Sequence, residues 1–219
     1  LRPVPAAYSY AEGAAFGAAY LTAYVSLVRR ARIEAGETLL VHGASGGVGM
    51  ATIEVGKLLG ATVIATTGRN SKMDAIWQAG ADHVLNLRDG FREQVKALTD
   101  GRGADVIFDP IGGDVFDEST RCIAFDGRLL VIGFMSGRIA EIKTNIPLIK
   151  GFSVVGVRAG EYGRRFPEKG RENMAQVQAW AEDGLIRPRI HAELSLEEAA
   201  KGLGMLTGRD VIGKIVLTT

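Results

Sequence analysis

The chain has 219 residues, 47% of them hydrophobic, and its 26 Lys and Arg nearly balance its 25 Asp and Glu, which gives a formal net charge of +1. A chain of this length can form one large core, or one domain with an appendage. The balanced charge, without a basic block, argues against nucleic acid as a partner, and no apolar run reaches the roughly 18 to 20 residues of a membrane span. The single cysteine, Cys122, excludes a disulfide within the chain and suits a reducing cytoplasm.

The first predicted element is a helix. Ser9 and Glu12 have the spacing of a capping box, in which each side chain accepts a hydrogen bond from the other residue's amide. An Ala-rich stretch follows and ends near Arg29 and Arg30, where cations favour a helix C-terminus. Residues 1–5 lack an initiator Met and resemble a linker, so we expect either a longer parent or a processed sequence.

From residue 38 onward, short apolar runs rich in β-branched residues alternate with amphipathic segments of helical length. Strands are predicted at 38–42, 62–66, 83–87, 105–108, 129–133 and 153–157, helices at 47–59, 71–79, 91–99 and 114–124, and an irregular crossover at 136–150. Apolar strands separated by crossover helices are typical of a parallel sheet covered on both faces. We therefore predict an α/β fold, a doubly wound (Rossmann) six-stranded parallel sheet in the order 3-2-1-4-5-6.

The C-terminal tail departs from this alternation. A long polar helix is expected at about 165–183, an extended segment at 188–194, a helix at 196–206 and a last strand at 213–217. Such a tail can return to a different sheet. We accordingly divide the chain into a linker with leading helices (1–30), a dinucleotide-binding domain (31–185) and a C-terminal segment (186–219).

The most informative motif is the glycine-rich turn LLVHGASGGVG at 39–49, placed between the first strand and its helix. Ala44, Gly46 and Gly49 occupy the three glycine positions of a dinucleotide fingerprint, in which the glycines allow close approach of the pyrophosphate and of the helix. The free amides and the dipole of the helix N-terminus then hold the phosphates. The predicted contacts are Ala44, Ser45, Gly46, Gly47, Val48 and Gly49.

The end of the second strand predicts which dinucleotide is bound. An NAD site carries Asp or Glu there for the ribose 2′-hydroxyl. This chain has Gly68, Arg69 and Lys72 instead, with no nearby carboxylate to repel a 2′-phosphate and two cations to neutralise one. The pattern favours NADPH, although both cations could also be solvated loop charges.

Several blocks in order along nearly the whole chain resemble the medium-chain dehydrogenase/reductase superfamily, and within it the zinc-independent quinone oxidoreductase (ζ-crystallin-like) branch. They are AAYLTAY at 18–24, VHGASGGVG at 41–49, DVIFDPIGG at 105–113, GRLLVIGF at 127–134, KGFSVVGV at 150–157 and GKIVL at 213–217. The resemblance implies pyrophosphate contacts at Gly46, Gly47 and Val48, and 2′-phosphate contacts at Gly68 and Lys72. It also implies that Gly133, Phe134 and, opposite them, Ile111 border the nicotinamide. The family's GroES-like substrate domain is expected to be missing from this chain.

The resemblance implies an oxidoreductase that transfers hydride from NADPH to a small-molecule acceptor, namely a quinone, enone or enoyl thioester. A non-catalytic NADPH-binding or sensing module is the alternative, and no catalytic residue is assigned. Cys122, His42, His83 and His191 lie on separate elements, so no zinc site is predicted. A short-chain dehydrogenase is rejected because no Tyr is followed by Lys four residues later. Lys72 could alternatively donate a proton, as has been considered for related enoyl reductases, but phosphate binding is favoured.

The sixth strand also predicts a partner. The segment 152–157 is apolar and carries neither Pro nor a charge, so as the edge of the sheet it should pair with another strand. Two-fold pairing with its own copy would give a homodimer, as is common in the family. The competing expectation is that the C-terminal tail covers this edge.

Overall fold

The structure, a computed structural model, describes residues 3–219. Its first helix, α1 (Tyr10–Tyr24), begins at Ser9, whose hydroxyl accepts from the Glu12 amide at 3.2 Å, while the Glu12 carboxylate accepts from the Ser9 amide at 2.8 Å. The predicted capping box is therefore confirmed. The helix continues as a π-helical segment, Val25–Ala31, and ends at Arg32 in the left-handed conformation.

Six parallel strands form the main sheet in the order β3-β2-β1-β4-β5-β6, as predicted. They are β1 (Thr38–Val41), β2 (Thr62–Thr67), β3 (His83–Asn86), β4 (Ala104–Asp109), β5 (Ile123–Val131) and β6 (Ser153–Gly156). The crossover helices are α2 (Gly47–Leu58), α3 (Met73–Gln78), α4 (Phe91–Leu98), α5 (Gly113–Ser119) and α6 (Asn145–Lys150). Short 3-10 turns precede α3 at Asn70–Lys72 and α4 at Leu87–Asp89.

Both faces of this sheet are covered, because its central strands are apolar on both sides. In β1 all four residues are buried: Leu39 and Val41 point into one core and Leu40 into the other. The first core includes residues of α1, α2 and the later helix near Val177, and the second includes residues of α4 and α5. This arrangement leaves the carboxyl ends of the strands as the place where a ligand can bind.

One predicted helix was wrong in extent, and one helix was missed. The helix predicted at 114–124 ends at Ser119, because the Cys122 amide donates to Ser119 O and the Cys122 carbonyl accepts from Ala104, which directs the chain into β5 at Ile123. The helix predicted at about 165–183 is α8 (Pro167–Glu182), and a separate helix that was not predicted, α7 (Ala159–Arg165), precedes it. Proline disfavours helical geometry in the preceding residue, and Phe166 accordingly has φ −124° and ψ 74°.

The C-terminal tail forms a separate two-stranded parallel sheet from β7 (Ile190–Ser195) and β8 (Lys214–Thr218). Between them lie a 3-10 turn, Leu196–Glu198, and helix α9 (Ala199–Thr207). The return of the tail to a different sheet is thus confirmed, and the tail does not cover β6. Among the helices of residues 3–219, none is long and apolar enough to cross a membrane.

Candidate functional site

The glycine-rich turn sits where β1 passes into α2. Gly43 has φ +61°, and its carbonyl accepts from the Gly46 amide at 3.1 Å. A Cβ on Gly49 would lie 2.8 Å from Ala44 Cα and would also meet Gly43 O, so only glycine lets the helix approach the turn this closely. Gly46 caps α2 without a side-chain hydrogen bond. The first amides of the helix are therefore available to an anion.

The C-terminal segment closes one side of this turn. The Gly213 amide donates to Ser45 O at 2.8 Å, and Gly46 and Gly213 form an isolated parallel bridge. The Lys214 side chain lies over Gly47, where an added Cβ would come within 2.6 Å of Lys214 Cε. Lys214 was not singled out from the sequence, because only the fold brings β8 to the start of α2.

The end of β2 carries the two predicted phosphate-binding cations. Gly68 has open space where a side chain would be. Arg69 forms an ion pair with Asp210 and donates from Nη2 to Gly208 O at 3.0 Å. Lys72 is buried, donates from Nζ to Val211 O at 2.8 Å, and has its pKa lowered by burial and by nearby Arg69.

This geometry corrects one sequence-based inference. The residues from Gly68 to Lys72 include no carboxylate, but the fold brings Asp210 from the C-terminal segment onto Arg69. The sequence around β2 could not predict this contact, because Asp210 belongs to a segment that is distant in the chain.

The remaining predicted residues meet at the carboxyl ends of β4 and β5. The loop after β5 is tied to the loop after β4 by hydrogen bonds from Met135 N to Pro110 O at 3.0 Å and from Ser136 N to Ile111 O at 2.9 Å. Phe134, directly before these anchors, is 47% exposed. Ile111 also lies beside the glycine turn, with its Cδ1 3.4 Å from where a Cβ on Gly43 would stand. The structure thus brings Ile111, Gly133 and Phe134 to one edge next to the turn.

An open cleft of about 470 Å³ adjoins Phe134 at the ends of β5 and β6. Its apolar wall includes Val131 and Ile132, and α7 supplies Tyr162 on the other side. Tyr162 is part of α7, the helix that borders the cleft. The arrangement gives a small molecule access to the side of Phe134.

Two ionisable groups near this edge have structural partners. The Asp109 carboxylate accepts from the amides of Ile111 at 2.8 Å and Gly112 at 3.0 Å, and burial raises its pKa. His42 is fully buried, its ring nitrogens lie 2.8 Å from Thr66 Oγ1 and 2.9 Å from Ser119 Oγ, and burial lowers its pKa to about 3. Asp109 shapes the β4–α5 turn, and His42 is a buried, hydrogen-bonded residue directly after β1.

The comparisons with known proteins agree with this geometry. A family model for zinc-binding dehydrogenases matches residues 47–178. A quinone oxidoreductase-like protein 2 homolog of Nematostella vectensis is 34% identical over 219 residues, which are 99% of this chain and 60% of the relative. The quinone oxidoreductase of Homo sapiens is 30% identical over 216 residues, which are 98% of this chain and 64% of the relative. The chain therefore spans somewhat over half the length of these relatives.

Solved structures of oxidoreductases also match nearly the whole of this chain and about two thirds of their own length. A probable oxidoreductase from Mycobacterium abscessus aligns with a TM-score of 0.88 at 35% identity, over 99% of this chain and 65% of that one. A mycobacterial protein in complex with NADPH aligns with a TM-score of 0.92 at 26% identity, over 99% and 67%. An NAD-dependent alcohol dehydrogenase aligns with a TM-score of 0.84 at 29% identity, over 100% and 61%.

The family's name raises the question of zinc. Residues 3–219 contain no group of three His, Cys, Asp or Glu side chains that could hold a metal ion, and burial raises the pKa of the Cys122 thiol to about 12. These residues do not fit a zinc site, and no chemistry of this chain is assigned to zinc. The glycine turn, the sheet order and the matching relatives nevertheless agree, and the chain belongs to the zinc-binding dehydrogenase family, in the quinone oxidoreductase branch of the medium-chain dehydrogenase/reductase superfamily.

Proposed function

We propose that this chain binds NADPH and presents it to a quinone, an enone or an enoyl thioester. The observation that carries the proposal is the convergence of Arg69 and Lys72 at the open end of β2, next to an uncapped helix N-terminus. A helix N-terminus suits the pyrophosphate of any dinucleotide, whereas the two cations suit the additional 2′-phosphate.

The predicted contacts divide by the part of the cofactor that they would hold. The turn residues Ala44, Ser45, Gly46, Gly47, Val48 and Gly49 are assigned to the pyrophosphate. Gly68, Arg69 and Lys72 are assigned to the 2′-phosphate, where Gly68 leaves room and the cations supply charge-assisted hydrogen bonds. Among the structural relatives, one is bound to NADPH and another is NAD-dependent, so the choice of NADPH depends on Arg69 and Lys72 rather than on the fold.

The other end of the cofactor is assigned to Ile111, Gly133 and Phe134. When bound, NADPH supplies a hydride that reduces the acceptor, and the cofactor itself is oxidised. Phe134 and the apolar residues of the cleft would orient the acceptor against the nicotinamide, since hydride transfer needs the two reactants within roughly 3 to 3.5 Å of each other.

A second candidate is a non-catalytic module that binds NADPH and responds to it. The observation in its favour is that Asp109 and His42, both near the carboxyl edge of the sheet, are occupied by structural hydrogen bonds. Oxidation of NADPH by a panel of quinones and enones tests the first candidate. Turnover that depends on the acceptor supports the enzyme and excludes a purely non-catalytic module.

Titration calorimetry with NADPH and NADH tests the cofactor assignment. We expect tighter binding of NADPH, and a loss of roughly tenfold or more in its affinity in Lys72→Ala, because a charge-assisted hydrogen bond is worth about 1.5 to 3 kcal/mol. NADH affinity should change little in the same variant. Lys96→Ala, which removes a cation from the exposed side of α4, is the matched control and should alter neither affinity. Equal affinities, or a preference for NADH that Lys72→Ala leaves unchanged, would refute the assignment.

A further inference from the structure

We infer that Asp210 opposes binding of the cofactor 2′-phosphate and so sets how strongly this site prefers NADPH over NADH. The inference rests on the proposed function, because it concerns the same two cations. It concerns a residue that lies outside the glycine turn and outside every local pattern around β2.

The 208–213 segment already occupies the donors that a phosphate would need. Arg69 is paired with the Asp210 carboxylate and with Gly208 O at 3.0 Å, while Lys72 Nζ donates to Val211 O at 2.8 Å. A 2′-phosphate must share or replace these acceptors. Both cations of the site are therefore already paired with acceptors of this chain, and one of these acceptors, the Asp210 carboxylate, is charged.

The segment is held at this place by contacts that directly follow Asp210 in the chain. Val211 is buried, and the Gly213 amide donates to Ser45 O at 2.8 Å. Gly213 has φ +87°, and a Cβ there would collide with Arg189 O, which fixes the path of the chain into β8. The Ile212 amide also donates to His191 Nδ1 at 3.3 Å. Asp210 is thus positioned by the fold and does not meet Arg69 by chance.

Charge decides the direction of the effect. A carboxylate on Arg69 both competes for the guanidinium and repels a phosphate dianion placed next to it. A cofactor with a free 2′-hydroxyl meets no such repulsion, and carboxylates are the groups that NAD sites use to accept from that hydroxyl. The C-terminal segment therefore supplies, from a distance in the sequence, the charge that β2 lacks.

The test uses 2′,5′-ADP and 5′-AMP as probes, because they differ only in the 2′-phosphate and do not need the nicotinamide end of the site. Titration calorimetry should show that Asp210→Asn binds 2′,5′-ADP about three to ten times more tightly, while its affinity for 5′-AMP does not increase. Asp183→Asn removes the same charge at the exposed end of α8 and should leave both affinities unchanged. In an Arg69→Gln background, Asp210→Asn should give a much smaller gain.

The outcomes separate this inference from the proposed function. If Arg69→Gln and Lys72→Ala weaken 2′,5′-ADP binding but Asp210→Asn does not strengthen it, the proposed site stands and the role of Asp210 is overturned. If neither Arg69→Gln nor Lys72→Ala alters 2′,5′-ADP binding, the phosphate site is wrong, and the role of Asp210 is overturned with it. Circular dichroism of each variant confirms that the chain is folded, which the exposure of the Asp210 side chain, 69%, leads us to expect.

Discussion

At the scale of single residues, Gly49 shows most clearly how this site depends on the absence of a side chain. Its backbone lies against the turn at Gly43 and Ala44, and a Cβ would meet backbone atoms on both. Backbone cannot move aside as the end of a flexible side chain can. Glycine is therefore required at position 49 so that α2 can pack closely on β1. This packing places the first amides of α2 where a phosphate can reach them.

We expect Gly49→Ala to lower the free energy of unfolding by about 1 to 3 kcal/mol, which is typical of overpacking, and to abolish dinucleotide binding. Urea denaturation and titration calorimetry measure the two effects. The matched control is Gly17→Ala in α1, where an added Cβ meets nothing within 4 Å. That variant should be about 0.5 to 1 kcal/mol more stable, since it gains helix propensity, and should bind as the unmodified chain does. A fully stable Gly49→Ala chain with intact binding would contradict this account of the turn.

How far a site residue could be predicted depends on whether its signal is local. The glycine turn lies within eleven residues between a strand and a helix, so its pattern could be read directly from the sequence. Arg69 and Lys72 could also be proposed, because they follow β2. Asp210 and Lys214 could not, because nothing in their own neighbourhood indicates that the C-terminal segment folds back onto β2 and α2.

At the scale of elements, the half-buried side chain of Glu54 links α1 to α2. Tyr20 donates from its hydroxyl to Glu54 Oε2 at 2.6 Å, and the Arg187 amide donates to the same oxygen at 3.1 Å. These hydrogen bonds favour the charged carboxylate, yet burial outweighs them and raises the pKa of Glu54. The junction of α1, α2 and the start of the C-terminal segment is thus stabilised most when Glu54 is protonated.

The raised pKa predicts the sign of a pH effect. Because the pKa of Glu54 is higher in the folded chain than its ordinary value of 4.5, its contribution to stability is complete below that value and is lost as the pH rises through the folded pKa. The stability of the unmodified chain should therefore fall relative to Glu54→Gln between pH 4 and pH 8. Urea denaturation across this range measures the difference.

Glu12 provides a control of opposite sign on the neighbouring helix. The hydrogen bond from Arg187 lowers the pKa of Glu12, so its contribution to stability is present above the ordinary value and is lost as the pH falls through the folded pKa. The stability of the unmodified chain relative to Glu12→Gln should accordingly rise with pH. If both variants give slopes of the same sign, the raised pKa assigned to Glu54 is wrong.

Element types were easier to predict than element ends. The alternation of apolar strands and amphipathic helices indicated a doubly wound parallel sheet, and the predicted strand order is confirmed. The error at Ile123 and Ala124 has a physical reason: a short apolar segment is compatible with either a buried helix or a strand. The strand is selected by pairing with β4, through a register shift next to Ala104 that no local pattern encodes.

At the scale of the whole molecule, β6 is the exposed edge of the main sheet, and we propose that it pairs with a second copy of the chain. Val157 donates from its amide to Val131 O at 3.0 Å, so alternation along the strand directs the amides of Val154 and Gly156 outward. Exposed apolar side chains lie close by in the sequence, with Leu148 at 81% and Ile149 at 73% exposure. An apolar edge of this kind favours association.

Sedimentation velocity at micromolar concentration should therefore show a dimer. Val155→Lys should weaken it, but Val155 also packs against the core, so loss of the fold could give the same result. Val154→Lys is the cleaner variant because this side chain is 38% exposed. Leu203→Lys changes an exposed side chain on α9, far from β6 in the sequence, and should leave the dimer intact. A monomer at every concentration would exclude pairing through β6.

The contacts between the two sheets predict how the stability of the chain responds to its cofactor. Gly46 and Gly213 join the turn of the main sheet to the start of β8, so the proposed site lies where the 31–185 domain and the 186–219 segment meet. A ligand that binds only the folded chain stabilises it by mass action, about 2.7 kcal/mol at a concentration 100 times the Kd. For a chain of this size that corresponds to a rise in Tm of roughly 5 to 10 °C.

We expect one cooperative thermal unfolding transition whose Tm rises when NADPH is added. Arg69→Gln should reduce this rise in Tm while leaving the rise caused by NADH nearly unchanged. Hydrogen exchange should slow at the first amides of α2 and at the start of β8 together. Separate transitions for the domain and the segment, or protection of α2 alone, would mean that the C-terminal segment is not part of the cofactor site.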